Sequence, residues 1–192
     1  MQDTDISNIP AVYSELLAKA DEIGFNMPSD VYIGSLLKTL ITSKPKSRFL
    51  ELGTGVGLSL SWMIAGMDTE STIISIDNDP SLVRIARSYL GQDERVHILC
   101  EDGKVWLNNF GGEKFDLIFA DAWPGKYSEL EIALHLLNSG GFYIIDDMKE
   151  QANWPVGHAA KASQLICDLE NRTDLTLTKL NWSTGIIIAT KK

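Results

Sequence analysis

The sequence predicts an α/β fold: a doubly wound, mostly parallel sheet of seven strands that ends in an antiparallel C-terminal β-hairpin. Three observations carry this expectation. Apolar runs alternate with helical patterns from residue 48 onward. The first five runs are continuous rather than alternating, the pattern of strands buried on both faces between helices. The last two runs lie too close together for a crossover helix, which leaves only a hairpin.

In chain order, an amphipathic helix is expected from about Ile9 to Ile23, with Leu16, Leu17, Ala20 and Ile23 on its apolar side. A second, Val31 to Leu40, leads into the first strand, Arg48–Leu52. Further strands are expected at Thr72–Asp77, Val96–Cys100, Phe115–Ala120 and Gly141–Asp146. Asp79-Pro80 is an N-cap followed by a first-turn proline, opening a helix that runs through Leu90 to Gly91. Ser128 to Glu131 reads as a capping box, opening a helix through Leu137 that Gly140-Gly141 closes. The tail, Leu175–Trp182 and Gly185–Thr190 around Ser183-Thr184, supplies the hairpin. No repeat or linker interrupts the chain, and a length of 192 residues with 44% hydrophobic composition suits one domain with one core.

The formal net charge of -9, with no Lys/Arg run, argues against nucleic acid as a partner, because phosphate neutralisation supplies most of that affinity. A small molecule is the better expectation. Cys100 and Cys167 form neither a metal-ligand spacing nor a disulfide framework, and Cys100, closing an apolar run, is expected to be buried. The polar, acidic start has no signal-peptide pattern, and no apolar run reaches the ~20 residues of a membrane span. A cytoplasmic location without membrane contact is therefore expected. The first helix is a candidate contact for a homodimer.

Glu51-Leu52-Gly53-Thr54-Gly55-Val56-Gly57 stands where the first strand meets a helix starting near Leu58. Glycines allow a tight turn and let backbone approach a ligand, and the free N–H groups of the helix start point back at it. Asp77 ends the second strand, 20 residues beyond Gly57, where a carboxylate can accept both hydroxyls of a ribose. Strand, glycine turn, helix, strand and acid together predict a nucleoside site on a Rossmann-like sheet. A nicotinamide dinucleotide fingerprint would place its third glycine at position 58, which is Leu58; here the glycine is Gly57.

The acid-x-G-x-G-x-G pattern of Glu51 to Gly57 resembles the first motif of the class I S-adenosylmethionine-dependent methyltransferases. That resemblance implies S-adenosylmethionine as cofactor. Gly53, Gly55 and Gly57 would face its methionine part, with Glu51 near the amino end, Asp77 would meet the ribose, and Thr54, Ser59 and Asn78 are further candidate cofactor contacts. Glu101-Asp102-Gly103 resembles the family segment whose aspartate meets the adenine, which points to Asp102 and Gly103. The terminal hairpin also suits the family's sheet.

Asp121-Ala122-Trp123-Pro124-Gly125-Lys126-Tyr127 and Gly140-Gly141…Asp146-Asp147 are similar to segments of the cation-dependent small-molecule O-methyltransferases of the catechol and caffeoyl-coenzyme A type. Met27-Pro28-Ser29…Gly34 resembles that family's approach to the sheet, making Met27 a cofactor contact; residues 1–45 would pack on the cofactor side of the 46–192 core. The likeness implies methyl transfer to an oxygen. Three carboxylates, Asp121, Asp146 and Asp147, would converge, and Mg²⁺ or another divalent cation would relieve their repulsion. The chain departs from the family in two places: Pro124 stands where a catalytic lysine is usual, with Lys126 two residues on, and Asp147 where asparagine is usual.

The candidate catalytic residues are Asp121, Lys126 and His158, the last because imidazole titrates near neutrality. Asp121 is also a candidate cofactor contact. Trp123, Tyr127 and Trp154 are candidates for the acceptor pocket. His97 and His135 read as structural. The alternatives are an S-adenosylmethionine-binding protein without catalysis, an N-methyltransferase or aminopropyltransferase of the same fold, and a nicotinamide oxidoreductase. Against the N-methyltransferase reading, Asp121 to Pro124 lacks the Asn/Asp-Pro-Pro-aromatic pattern.

Overall fold

A computed structural model describes Gln2 and residues 4–151 and 154–192. Among these described residues seven strands form one sheet in the order β3-β2-β1-β4-β5-β7-β6, and the chain divides into two compact units, residues 1–102 and 103–192.

In the first unit, helix α1 (Tyr13–Ile23) buries Tyr13, Leu16 and Ala20 and stops at Gly24, whose left-handed backbone lets its N–H reach the carbonyls of Ala20 and Asp21. Helix α2 (Val31–Thr42) starts at Asp30, whose carboxylate accepts from the backbone N–H of Tyr32 and Ile33 at 2.9 and 3.1 Å. Strands β1 (Arg48–Leu52), β2 (Thr72–Asp77) and β3 (Val96–Cys100) follow with the expected bounds. They pair in parallel, β2 between the other two. Between them lie α3 (Leu58–Gly66) and α4 (Pro80–Leu90), and Asp79 caps α4 through Ser81 and Leu82 as its position predicts.

The second unit carries α5 (Gly103–Asn109), β4 (Phe115–Ala120), α6 (Leu130–His135), β5 (Leu137–Ile145), α7 (His158–Glu170), β6 (Leu175–Leu180) and β7 (Ile186–Lys191). Leu117 to Ala120 on β4 are fully buried, which is why that run carries no polar alternation. The tail is antiparallel as expected: β7 pairs with β6 on one side and β5 on the other.

Four local expectations are corrected. Helix α1 starts at Tyr13 rather than Ile9, and Leu17 and Ile23 are 37% and 43% exposed, so its buried stripe is narrower than the sequence suggests. No capping box forms at Ser128; the N-cap is Glu129, held at φ 52° without a side-chain hydrogen bond. Gly140-Gly141 does not close a helix but lies inside β5, where the register against β4 shifts between Phe115 and Leu117 and Gly140 takes φ 76°. Cys100 is exposed, because β3 is an edge strand covered on one side only.

Candidate functional site

In the first unit, the turn after β1 has Gly53, Gly55 and Gly57 at φ 106°, 52° and 98°, a left-handed run that side chains would strain. Its shape is set by the neighbouring strand. Gly53 and Thr54 both donate from backbone N–H to the Ile76 carbonyl, at 2.9 and 3.2 Å. Asp77, next in β2, then takes the Gly55 N–H on Oδ2 at 2.8 Å and the Asp79 N–H on Oδ1 at 2.9 Å. The expected acid and the expected glycine turn are thus directly bonded. Phe25 packs beside Gly55, where an added Cβ would sit 3.1 Å from its ring; sequence reading did not single Phe25 out, and only its aromatic character before Met27 hinted at a role.

The turn rests on a buried polar relay. Thr54 Oγ1 and Ser75 Oγ are 2.5 Å apart, Ser75 donates to Glu51 Oε2 at 2.5 Å, and Ser59 donates to Glu51 Oε1 at 2.6 Å. Glu51 is wholly buried, and that burial, only partly offset by the two serine hydroxyls, pushes its carboxyl up to about 7. Glu51 and Ser59, expected as cofactor contacts, bond each other behind the turn, and Thr54 is equally buried. Met27 is 68% exposed, and Asn78 and Asp102 are exposed as well. Gly103 opens α5, with Pro124 Cβ and Cγ each 3.2 Å from where its own Cβ would be.

In the second unit, the loop after β4 doubles back on itself. The Trp123 carbonyl accepts the N–H groups of Lys126, Tyr127 and Ser128 at 3.2, 2.9 and 3.1 Å, and Gly125 donates to the Ser128 carbonyl at 2.7 Å. Fully buried Tyr143 on β5 secures the loop by donating to the Gly125 carbonyl at 2.5 Å. Lys126 is thereby brought to 5% exposure, its ammonium 5.3 Å from the Tyr127 ring centre.

Asp146 directly follows β5 and is 3% exposed. Its Oδ1 accepts the Asp147 N–H at 2.8 Å and the Thr184 hydroxyl from the β6–β7 turn. Burial holds its carboxyl well above the ordinary range, Asp147 adds to that, and the positive charge of Lys126 works against it. Asp147 is half-buried with φ 54°, and Asp121 is half-buried at the end of β4. Among the described residues no three His, Cys, Asp or Glu side chains are grouped to hold a metal ion. The expected set of Asp121, Asp146 and Asp147 therefore does not fit a divalent cation: one Asp146 oxygen is engaged by protein donors, and a buried ammonium supplies positive charge nearby.

Next to this loop, rings converge on His158, the first residue of α7. Tyr127 Oη lies 3.0 Å from His158 Nε2, and the ring centres of Trp154, Tyr127 and Trp123 lie 4.3, 5.1 and 5.8 Å from the imidazole. Trp123 stays half-exposed, with the Lys161 ammonium 5.2 Å from its ring. Lys126, Tyr127 and Lys161 continue into an open groove of about 380 Å³ along α6 and α7, reaching Gln164 and Asp168. Four separate sequence candidates, Trp123, Tyr127, Trp154 and His158, thus form one cluster. Sequence reading missed Tyr143, Thr184 and Lys161; Lys161 alone had a signal, three residues beyond His158 and so on the same helical face.

Residues 50–148 match a family described as a methyltransferase domain, and the chain belongs to that family. A Mycolicibacterium smegmatis protein, named provisionally as an O-methyltransferase, is 27% identical over 140 residues, 70% of this chain and 66% of that one. A similarly named Mycobacterium leprae protein is 26% identical over 140 residues, with 62% of its length covered, so the match spans slightly under two thirds of these relatives. Among solved structures, a Podospora anserina methyltransferase with S-adenosylhomocysteine bound superposes with TM-score 0.83 at 22% identity, covering 99% of this chain and 92% of that one. A Bacillus cereus O-methyltransferase, also in complex with S-adenosylhomocysteine, gives 0.84 at 20% identity, covering 99% and 94%. At these identities the two structures speak for the fold.

Proposed function

We propose that this chain moves the methyl group of S-adenosylmethionine to an oxygen nucleophile on a small molecule, in the cytoplasm, with its two compact units working as one methyltransferase domain. The observation that carries this reading is the bond between the Asp77 carboxylate and the Gly55 N–H at the glycine turn. A carboxylate has about four acceptor positions, and backbone N–H groups use two on Asp77, which leaves two for the hydroxyls of a ribose. The left-handed turn at Gly53, Gly55 and Gly57 leaves no Cβ between its backbone and a ligand.

When bound, S-adenosylmethionine supplies a methyl group already activated on a sulfonium, so the protein's task is mainly to hold and align two partners. In this reading the glycine turn and Asp77 hold the nucleoside, Asp102 and Gly103 meet its base, and Met27 flanks the methionine end. Trp123, Tyr127 and Trp154 form the wall against which the acceptor lies, beside Lys126 and His158. Asp121 orients the reacting groups by hydrogen bonding. No step is assigned to a divalent cation, because the three carboxylates are not grouped for one. Among the described residues no helix is long and apolar enough to cross a membrane.

Calorimetric titration tests the reading. S-adenosylmethionine and S-adenosylhomocysteine should bind while nicotinamide dinucleotides do not. Asp77→Ala should weaken S-adenosylmethionine by roughly 1–3 kcal/mol, from lost charge-assisted hydrogen bonds. Unchanged affinity in that variant, or preferential binding of a dinucleotide, would overturn the proposal.

A further inference from the structure

We propose that Tyr127 and His158 act as one proton-accepting unit, in which Tyr127 holds the imidazole so that Nδ1 takes the hydroxyl proton of the methyl acceptor. This rests on the O-methyl transfer reading and goes beyond it by naming the atom that receives the proton and the residue that positions it.

The geometry separates the two ring nitrogens. Nε2 is 3.0 Å from Tyr127 Oη, whereas Nδ1 is buried with no hydrogen-bond partner among the described residues. A buried N–H without a partner is rarer and costlier than a lone pair without one. The favoured tautomer therefore carries its proton on Nε2, which donates to the phenol oxygen, and leaves the lone pair on Nδ1. Rotation of the ring is blocked on several sides. Trp154 lies against it at 4.3 Å and 42°, while Trp123 and Tyr127 meet it edge to face at 87° and 86°.

The surroundings keep this imidazole neutral and able to accept. Its burial, with Lys126 and then Lys161, lowers its pKa, and Asp147 opposes them. As the first residue of α7, it also faces the positive end of that helix. Tyr127 cannot itself be the base, since burial and Asp147 push its phenol up to about 12.

The balanced step is simple. The acceptor's O–H bond breaks as its proton passes to Nδ1, its oxygen forms a bond to the sulfonium methyl, and the carbon–sulfur bond breaks with both electrons kept by sulfur. The resulting imidazolium still donates Nε2–H to Tyr127, so that bond strengthens as positive charge develops. The proton then leaves to water.

Two measurements on the full chain test the unit. Nitrogen-15 NMR of the histidine rings at pH 8 should show His158 protonated on Nε2 and bare on Nδ1, and Tyr127→Phe should shift it toward a tautomer mixture. The second is methyl transfer from S-adenosylmethionine to a panel of simple catechols and phenols. His158→Gln should lower kcat about 100-fold or more and abolish the acid limb of the pH profile. Tyr127→Phe should lower kcat about 10-fold and move that limb to lower pH. Both variants should keep their S-adenosylmethionine affinity within about 3-fold, since neither is assigned to the cofactor.

A proton found on Nδ1, or an acid limb that survives in His158→Gln, would overturn the proposal. If the wild-type chain binds S-adenosylmethionine and methylates no panel member, the choice of acceptor in the underlying reading fails. The NMR result would still decide the tautomer on which the unit depends.

Discussion

Gly34 shows how one missing atom holds a helix pair together. A Cβ there would lie 2.4 Å from Cδ1 and 2.5 Å from Nε1 of Trp62, which is 1% exposed and meets Tyr13 edge to face. Both atoms belong to a rigid indole with no room to withdraw. Gly34→Ala should therefore destabilise the protein by roughly 1–3 kcal/mol through overpacking, despite alanine's better helix propensity. Chemical denaturation checks this, and a stabilised variant would show that the indole can move. The sequence suggested Gly34 only as part of a cofactor-side pattern. Its packing role could not be read there, because Trp62 is distant in the chain and nothing local to position 34 announces it.

Single elements follow their local chemistry where the signals are short-range. Asp79-Pro80 predicts α4, and the Asp79 carboxylate does accept from Ser81 and Leu82 at 2.7 and 3.3 Å. Asp79→Ala should cost about 1 kcal/mol, within a range of 0.5–2 kcal/mol for lost caps, and circular dichroism melts against wild type would measure it. Ser128 to Glu131 carries an equally clear local signal and fails. The loop before α6 is tied down by the Trp123 carbonyl and by Tyr143, and those constraints place Glu129 at the cap position instead. Gly140-Gly141 fails as a helix stop for a similar reason: pairing of β5 with β4 absorbs the two glycines into a strand. Lys126 shows the benefit of the same constraints. From sequence it lies two positions too far along to replace a lysine at Pro124, and the folded-back loop buries it beside Tyr127.

The whole molecule should respond to pH through its buried carboxyls. Glu51 is raised to about 7, and Asp146 is raised as well, both chiefly by burial. A carboxyl with a higher pKa folded than unfolded binds its proton more tightly in the native state. Its contribution is fully present below the unfolded pKa of about 4 and is lost as pH rises through the folded value. Stability should therefore fall between about pH 4.5 and pH 7.5, by on the order of 1–3 kcal/mol from Glu51 alone. Half-buried Asp93 and exposed Asp174, lowered by hydrogen bonds from Arg95 and Arg172, act in the opposite sense but only at lower pH. Denaturant titrations at pH 5 and pH 8 would reveal the slope, and Glu51→Gln should flatten it. A stability that rises across this window would refute the assignment.

Sequence by itself determined the sheet, its strand bounds from β1 to β4, the closing hairpin, the glycine turn and the acid at position 77. Each depends on apolar runs or on backbone geometry that only glycine permits, and such signals act over a few residues. Tertiary structure decided the rest. It turned Glu51 inward to two serines and gave one oxygen of Asp146 to Thr184. It also drew Tyr127 and Trp154 around His158 and left one imidazole nitrogen without a partner among the described residues. These are contacts between residues far apart in the chain, and burial and distance, which set their chemistry, exist only once the chain has folded.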